Sequence, residues 1–430
     1  MSLDRRHVVV AGAGVAGLET ALALRALAAD LVSVELVAPE ADFVYRPSAV
    51  AEPFRMGEAR RFPLERLVRA IGAEVRSGAV ASLTDDEKLV TLADGDRLRY
   101  DSLVLAVGAQ PREAVAGALT FRGAEDVREL ALLLDDAVSG RLERIVFAIP
   151  PGATWPLPLY ELALLTKAYL AEHMTRGVEI VLVTPEERPL ALFGPAASEE
   201  IDTLLRIRQV RVETASVARC FEGGVLELAA GEAIPADAVV AVPSPEGPRI
   251  GGLPQDARGF VATDDLGWVL GLTDVYAAGD LTQSSIKQGG IAAQQADAVA
   301  SAIAATAGAQ VRPTAARPVL RGLLLTGLAP RFLRGEGSER RSVVDTQPLW
   351  WPPAKIVGRY LSPFLAEHLG LASEFGEPPR GDAVPVEVAV DTRDHAVWST
   401  ASRSARSETT TSAPCARSAS AWPARSTPTT

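Results

Sequence analysis

A short β-branched run leading into three spaced glycines stands almost at the start of this chain: His7-Val8-Val9-Val10-Ala11-Gly12-Ala13-Gly14-Val15-Ala16-Gly17. It constrains the fold more than any other stretch. A continuous apolar run of this length reads as a strand buried on both faces of a parallel sheet. Gly12 permits a tight turn, and Gly14 lets a backbone approach a pyrophosphate. Gly17 lets the following helix pack closely on the strand, with Ala16 beside it in the first turn. The helix N-terminus offers unpaired N–H groups and the positive end of its dipole to phosphates. Residues 31–38 read as a second strand, which completes a βαβ unit of about 30 residues. The expected class is α/β, and the expected ligand is a dinucleotide.

A second signature lies more than 250 residues downstream: Thr273-Asp274-Val275-Tyr276-Ala277-Ala278-Gly279-Asp280. It reads as a strand ending in Gly-Asp. The Asp280 carboxylate either accepts a hydrogen bond from a ribityl hydroxyl of FAD or caps a local turn. Lys287-Gln288-Gly289-Gly290-Ile291-Ala292-Ala293 then opens a helix with small residues. Its backbone N–H groups would face a flavin pyrimidine ring, where negative charge builds on reduction. Lys287 either adds a positive charge there or is a plain surface lysine. Residues 101–108 form another buried strand that ends at Gly108. The acid usual at the end of the second strand is missing, because Ala38 occupies that place. Glu40 is either the substitute contact to the adenosine ribose or a solvated loop residue. The two signatures together point to noncovalent FAD.

A second α/β pattern runs from about residue 144 to 242, before the Gly-Asp signature returns the chain to the first unit. The expected organisation is an FAD-binding domain at 1–125 and 265–317 and a second Rossmann-like domain at 126–264. A small C-terminal α+β domain at 318–390 and a disordered tail at 391–430 follow. Residues 43–54 are expected to be a loop. In the C-terminal part, Ser362 is expected to cap a helix opened by Pro363. Ile356, Val357, Tyr360, Leu361, Phe364, Leu365 and Leu369 share one apolar face. That face either closes the core beside the flavin or makes a peripheral membrane contact that opens a quinone path. From about Asp391 the chain is dominated by Ser, Thr, Ala and Arg, with five arginines against three acids. Such a segment cannot bury enough surface to order itself. It is either an ordinary tail or a frameshifted end.

The net charge of −11 argues against a nucleic-acid partner. The two cysteines, Cys220 and Cys415, form no disulfide framework or zinc site, and the four histidines have no metal-ligand spacing. The chain enters a strand at once, which leaves no room for a signal peptide. No apolar run reaches the ~18 residues of a spanning helix. The expected location is the cytoplasm, with peripheral contact at the inner face of the membrane as an addition.

The segments Gly12–Gly17, Phe43–Pro47 (with Arg46), Tyr100–Gly108, Asp274–Asp280 and Gln288–Gln295 resemble those of the FAD-dependent pyridine nucleotide-disulfide oxidoreductase superfamily. Within it, the likeness is to sulfide:quinone reductases and type II NADH dehydrogenases, over about residues 5–330. The resemblance implies tandem Rossmann-like domains and an FAD site drawing on Gly12, Gly14, Ala16, Gly17, Arg46, Gly108, Gly279, Asp280, Gln288, Gly289 and Ala292. It also implies a small-molecule electron donor and a quinone or redox-protein acceptor. Two departures stand out. The turn that should carry a second glycine fingerprint is Pro150-Pro151-Gly152-Ala153-Thr154-Trp155-Pro156. Proline removes N–H donors there and Trp155 is bulky, which argues against NAD(P)H binding in the usual mode. Glu161, downstream, still matches a helical Glu of that region. No cysteine pair stands beside the flavin motifs, so sulfide oxidation by the familiar thiol route lacks its nucleophile. A flavin-dependent oxidoreductase is the leading reading. The others are a non-catalytic flavin-binding sensor or scaffold, an NAD(P)H dehydrogenase with unconventional nucleotide binding, and a damaged gene product.

Overall fold

The strand Arg6–Ala11 is the centre of a five-stranded sheet in a computed structural model, which describes residues 5–336 and 341–368. The order across the sheet is Val275–Ala277, Ser102–Leu105, Arg6–Ala11, Val32–Ala38 and Glu74–Ser77, all parallel. The strand order reverses at Arg6–Ala11, so a ligand crevice opens beyond its C-terminal end, where the glycines stand. The helices Val15–Ala28 and Gly289–Thr306 cover one face through Leu18, Ala21 and Leu22 against Ala296, Val299 and Ala300. Small side chains let these two helices approach closely. The other face packs on the antiparallel strands Val80–Thr84, Leu89–Leu92 and Arg97–Arg99 through Leu83, Val90, Leu92 and Leu98.

A second parallel sheet repeats the plan, in the order Leu119–Thr120, Ala238–Ala241, Arg144–Ala148, Glu179–Val183 and Val210–Glu213. Its largest core forms under the helices Val127–Val138, Leu157–Glu172 and Pro195–Ile207. The strands Val319–Leu324, Arg331–Glu336 and Arg341–Asp345 then form an antiparallel sheet. It lies directly on the second unit. A Cβ at Gly322 would stand 2.6 Å from the Phe193 ring, and one at Gly327 would stand 2.2 Å from the Ala168 Cβ.

Two local expectations are corrected. Residues 43–54 are not a loop: they hold the strand Asp42–Val44 and the 3-10 helix Arg46–Phe54, which Pro47 helps to start. The helix near Pro363 runs Leu361–His368, and Ser362 does not cap it. The Glu19 carboxylate, from a distant helix, accepts the Tyr360 and Leu361 N–H groups at 2.8 and 2.7 Å. Ser362 Oγ instead accepts from Gly358 N at 2.7 Å and donates to Ile356 O at 2.8 Å. The apolar face of this segment closes the core, since Ile356, Val357, Leu361 and Leu365 are buried. Trp350 is buried with them and meets Phe332 edge-on at 5.1 Å. Leu369, the tail and Cys415 lie outside the described residues. Among the described residues, no helix is long and apolar enough to cross a membrane.

Candidate functional site

Each glycine of the first fingerprint has its own physical reason. Gly12 has φ +103°, and a Cβ there would lie 2.3 Å from the Ala106 carbonyl oxygen. A Cβ on Gly17 would lie 1.8 Å from the Gly12 oxygen, so the helix can seat on the turn only without a side chain. Gly14 differs: nothing lies within 4 Å of the Cβ it lacks. It caps the helix Val15–Ala28 with no side-chain hydrogen bond, and no acid stands in the first turn. The donor-rich, positive end of the helix therefore faces open space shaped for an anion.

The Gly-Asp turn comes to the same place. A Cβ on Gly279 would lie 3.2 Å from the Ala16 Cβ and 3.5 Å from the Ala292 Cβ, so the starts of both helices converge on it. Gly279 N donates to Gln295 Oε1 at 2.7 Å. Asp280 is half-buried, and its carboxylate has no hydrogen-bond partner among the described residues. The local-cap alternative therefore has no bond to support it. Burial pushes the Asp280 carboxyl upward, opposed by the charges of Lys287 and Arg46. Gly108 has φ +73° and open space beside it. Arg46 is exposed, and Glu40 is exposed beyond the end of the strand Val32–Ala38.

A pocket of about 340 Å³ extends from this turn. Arg46, Asp280, Lys287, Gln288 and Gly289 line one side, and Val50, Phe121, Trp155 and Ile356 give it apolar walls. Lys287 is not a surface lysine. It is buried, its amine donates to the Thr282 carbonyl, and it sits 4.0 Å from the centre of the Phe260 ring. Burial lowers it to about 8, against the pull of Asp280. The Gln288 side chain is occupied in the protein itself. Its Oε1 accepts from Ile291 N at 2.9 Å, and its Nε2 donates to the Arg321 oxygen at 3.3 Å.

The far wall holds a buried ion pair that sequence reasoning did not assemble. Lys355 Nζ lies 2.5 Å from Glu161 Oε1, which also accepts from Leu325 N at 2.9 Å. Glu161 is 1% exposed, and burial raises its carboxyl despite the adjacent lysine. Next to Lys355, Ile356 N donates to Tyr45 Oη at 2.9 Å, which fixes this segment against the first unit. One signal was available, because Glu161 is an acid on the apolar, buried face of the helix Leu157–Glu172, whose other acid, Glu172, ends it. The proline-rich turn lies at the same pocket. Trp155 lines it and packs on Phe193 at 5.8 Å. Cys220 is buried in the strand Ala218–Glu222, and no cysteine among the described residues lines the pocket.

The profile of the pyridine nucleotide-disulphide oxidoreductases matches residues 3–146 and 164–296. The chain belongs to the pyridine nucleotide-disulphide oxidoreductase family. The unmatched stretch between the two parts holds the proline-rich turn and Glu161. With membership come the cofactor and the class of reaction: this is an FAD-dependent oxidoreductase. The open, uncapped helix end at Gly14 and the unpartnered Asp280 carboxylate fit that cofactor. A sulfide-quinone reductase of Aquifex aeolicus is 29% identical over 188 residues, 42% of this chain and 43% of that relative. The match thus spans less than half of that relative's length. The ferredoxin–NAD(+) reductase component of the biphenyl dioxygenase system of Paraburkholderia xenovorans is 28% identical, over 66% of this chain and 69% of its own. The solved sulfide:quinone oxidoreductase of Aquifex aeolicus superposes with a TM-score of 0.75 at 20% identity, covering 90% of this chain and 98% of that one.

Proposed function

We propose that the chain passes two electrons from a small-molecule donor, through noncovalent FAD, to a quinone held in the pocket of about 340 Å³. The buried Glu161–Lys355 pair carries this reading. A quinone that takes up two electrons also takes up two protons, and an apolar pocket excludes the water that would otherwise supply them. A buried carboxyl–ammonium pair at the wall is a proton source at the right place. FAD supplies the electron transfer itself; the protein positions and tunes it. In this reading Gly12, Gly14, Ala16, Gly17 and the helix end hold the pyrophosphate, Asp280 takes a ribityl hydroxyl, and Gly108 and Gly279 leave room for the cofactor. Gly289 and Ala292 open the helix that faces the flavin, with Gln288 contributing through its backbone. Arg46 and Glu40 are the exposed groups available to the phosphate and adenosine ends, and Lys287 is the tuning charge. The FAD-binding unit is taken as residues 1–125 with 265–317.

The test is anaerobic. Reduced protein is mixed with a short-chain quinone, and flavin absorbance at 450 nm is followed. Wild type should reoxidise rapidly. Lys355→Met should slow reoxidation by about 10²-fold or more, the usual scale for a lost proton-transfer group, with FAD content unchanged. Equal rates in the two proteins would remove the pair from the mechanism. If only a small redox protein reoxidises the flavin, the acceptor is of the kind named for the ferredoxin–NAD(+) reductase relative. If nothing reoxidises it, a non-catalytic sensor gains. A lipid-soluble quinone would place the chain at the inner face of the membrane through a peripheral contact. Co-sedimentation with liposomes, compared with a Trp351→Ala, Phe364→Ser variant, tests that half separately.

A further inference from the structure

The C-terminal sheet carries a charge arrangement that the flavin chemistry does not use. Arg321 and Arg334 stand directly opposite each other on antiparallel neighbours, with Val319 opposite Glu336 and Leu323 opposite Phe332. Directly opposed residues share a face of the sheet, and like charges so placed destabilise it. Arg334 is ion-paired with Glu336, yet its Nε is buried with no acceptor. Arg321 is 5% exposed, and its guanidinium feels the charge of Glu336 but makes no hydrogen bond or close ion pair among the described residues. Among the described residues two guanidiniums face the one carboxylate of Glu336, which leaves a positive excess that an anion would balance; the side chains of Arg334 and Glu336 stay 27% and 40% exposed, so a solute can reach them. Burial, and next the charge of Arg334, push Arg321 down to about 10, against the pull of Glu336. The same face continues as an apolar shelf of Leu323, Phe332 and Trp350. The site is distinct from the flavin pocket, although Gly322 and Leu323 belong to the pocket wall.

We propose that Arg321 and Arg334 form a binding site for a singly charged oxyanion of the phosphate class. The anion would accept hydrogen bonds from the Arg321 guanidinium and from Arg334 Nε, and would balance the one excess charge. Planar guanidinium forks suit such oxygens better than ammonium groups do. Inorganic phosphate and the phosphodiester of an anionic lipid share this chemistry, and the experiment separates them.

The full-length holoprotein is titrated with sodium phosphate at pH 6, where the monoanion dominates, against sodium chloride at matched ionic strength. Melting temperature and tryptophan fluorescence are read, and Trp350→Phe assigns the optical change. Wild type should show a saturable rise in melting temperature with phosphate and none with chloride. Arg321→Gln should lose it, with apparent affinity about 10- to 100-fold weaker for the missing charged bond. In phosphate-free buffer Arg321→Met should melt no lower than wild type, because it removes an unpaired buried charge. Co-sedimentation with vesicles of phosphatidylglycerol or phosphatidylcholine forms the second arm. Capture by the anionic vesicles that depends on Arg321 identifies a lipid source, whereas a phosphate response without capture identifies a free anion. A phosphate response equal to that of chloride, without vesicle capture, overturns the proposal. So does a response that Arg321→Gln retains, or a large loss of stability in Arg321→Met without phosphate.

Discussion

Replacing Asp297 by asparagine should flatten the dependence of stability on pH above neutrality. Asp297 lies on the helix Gly289–Thr306 and faces Glu19 on the helix Val15–Ala28. Both are buried, Glu19 completely. Glu19 accepts the two N–H groups at the start of the last helix, while neither oxygen of Asp297 has a donor among the described residues. Burial raises both carboxyls: Asp297 to about 9, with the charge of Glu19 adding to the effect, and Glu19 to about 7. Two such groups titrate as a pair, and the pair keeps a proton between them that the unfolded chain has lost. The sign follows from the raised values. The stabilisation is complete below about 4, where the unfolded carboxyls are also protonated, and is lost as pH rises toward about 9. From pH 7 to 9 the folded pair holds about one proton more than the unfolded chain. Each pH unit across the interval then removes on the order of 1 kcal/mol. The amide of Asp297→Asn would have no proton to release and would donate an N–H to Glu19 at every pH. Denaturant unfolding of wild type and Asp297→Asn at pH 7, 8 and 9 measures the difference. The wild-type free energy should fall more steeply by about that amount. Parallel slopes would show that the pair does not carry the proton, and the reasoning from burial would fail.

Gly14→Val should abolish FAD retention and leave the melting temperature of the apoprotein unchanged, since Gly14 has φ −78° and open space beside it. Gly17→Ala should instead destabilise the apoprotein by about 1–3 kcal/mol or more, because its Cβ meets backbone at 1.8 Å. Asp280→Asn should weaken FAD binding by about 10- to 100-fold, the cost of one charged hydrogen bond, measured as the FAD dissociation constant. Stopped-flow mixing with micromolar NADH or NADPH should bleach the flavin slowly, because Trp155 and three prolines occupy the second turn; rapid bleaching would restore a nicotinamide donor.

The first dinucleotide motif was legible because its determinants are local. A glycine required by a carbonyl 2.3 Å away declares itself through spacing alone, and so does a helix that begins directly after Gly14. The turn at residues 43–54 was misread because proline and polar residues mark a 3-10 helix as readily as a loop. Lys287 could not be resolved from sequence: its burial depends on Phe260 and Thr282, which the fold brings over it. Nor could Ser362 be separated from a cap, because the true cap comes from Glu19, more than 340 residues away.

The buried acids whose partners sequence reasoning did not assemble share one pattern. Glu19, Glu161 and Asp297 each stand among buried, mostly apolar side chains of a helix, and each is buried. A carboxyl in such a run must find a partner or keep its proton, since an isolated buried charge is too costly. Glu161 finds Lys355, Glu19 finds the backbone of residues 360 and 361, and Asp297 finds Glu19. Two of the three therefore fasten the same C-terminal segment, one on each parallel-sheet unit, and Lys355 lies within the stretch they hold. That segment forms part of the pocket wall: Lys355 and Ile356 line the pocket, and Tyr45 adds a third tie at Ile356 N. Loss of either carboxyl should thus loosen the pocket wall as well as the core. Glu19→Ala should change quinone reoxidation even though Glu19 does not line the pocket. A variant with normal reoxidation and only a lowered melting temperature would confine Glu19 to a structural part.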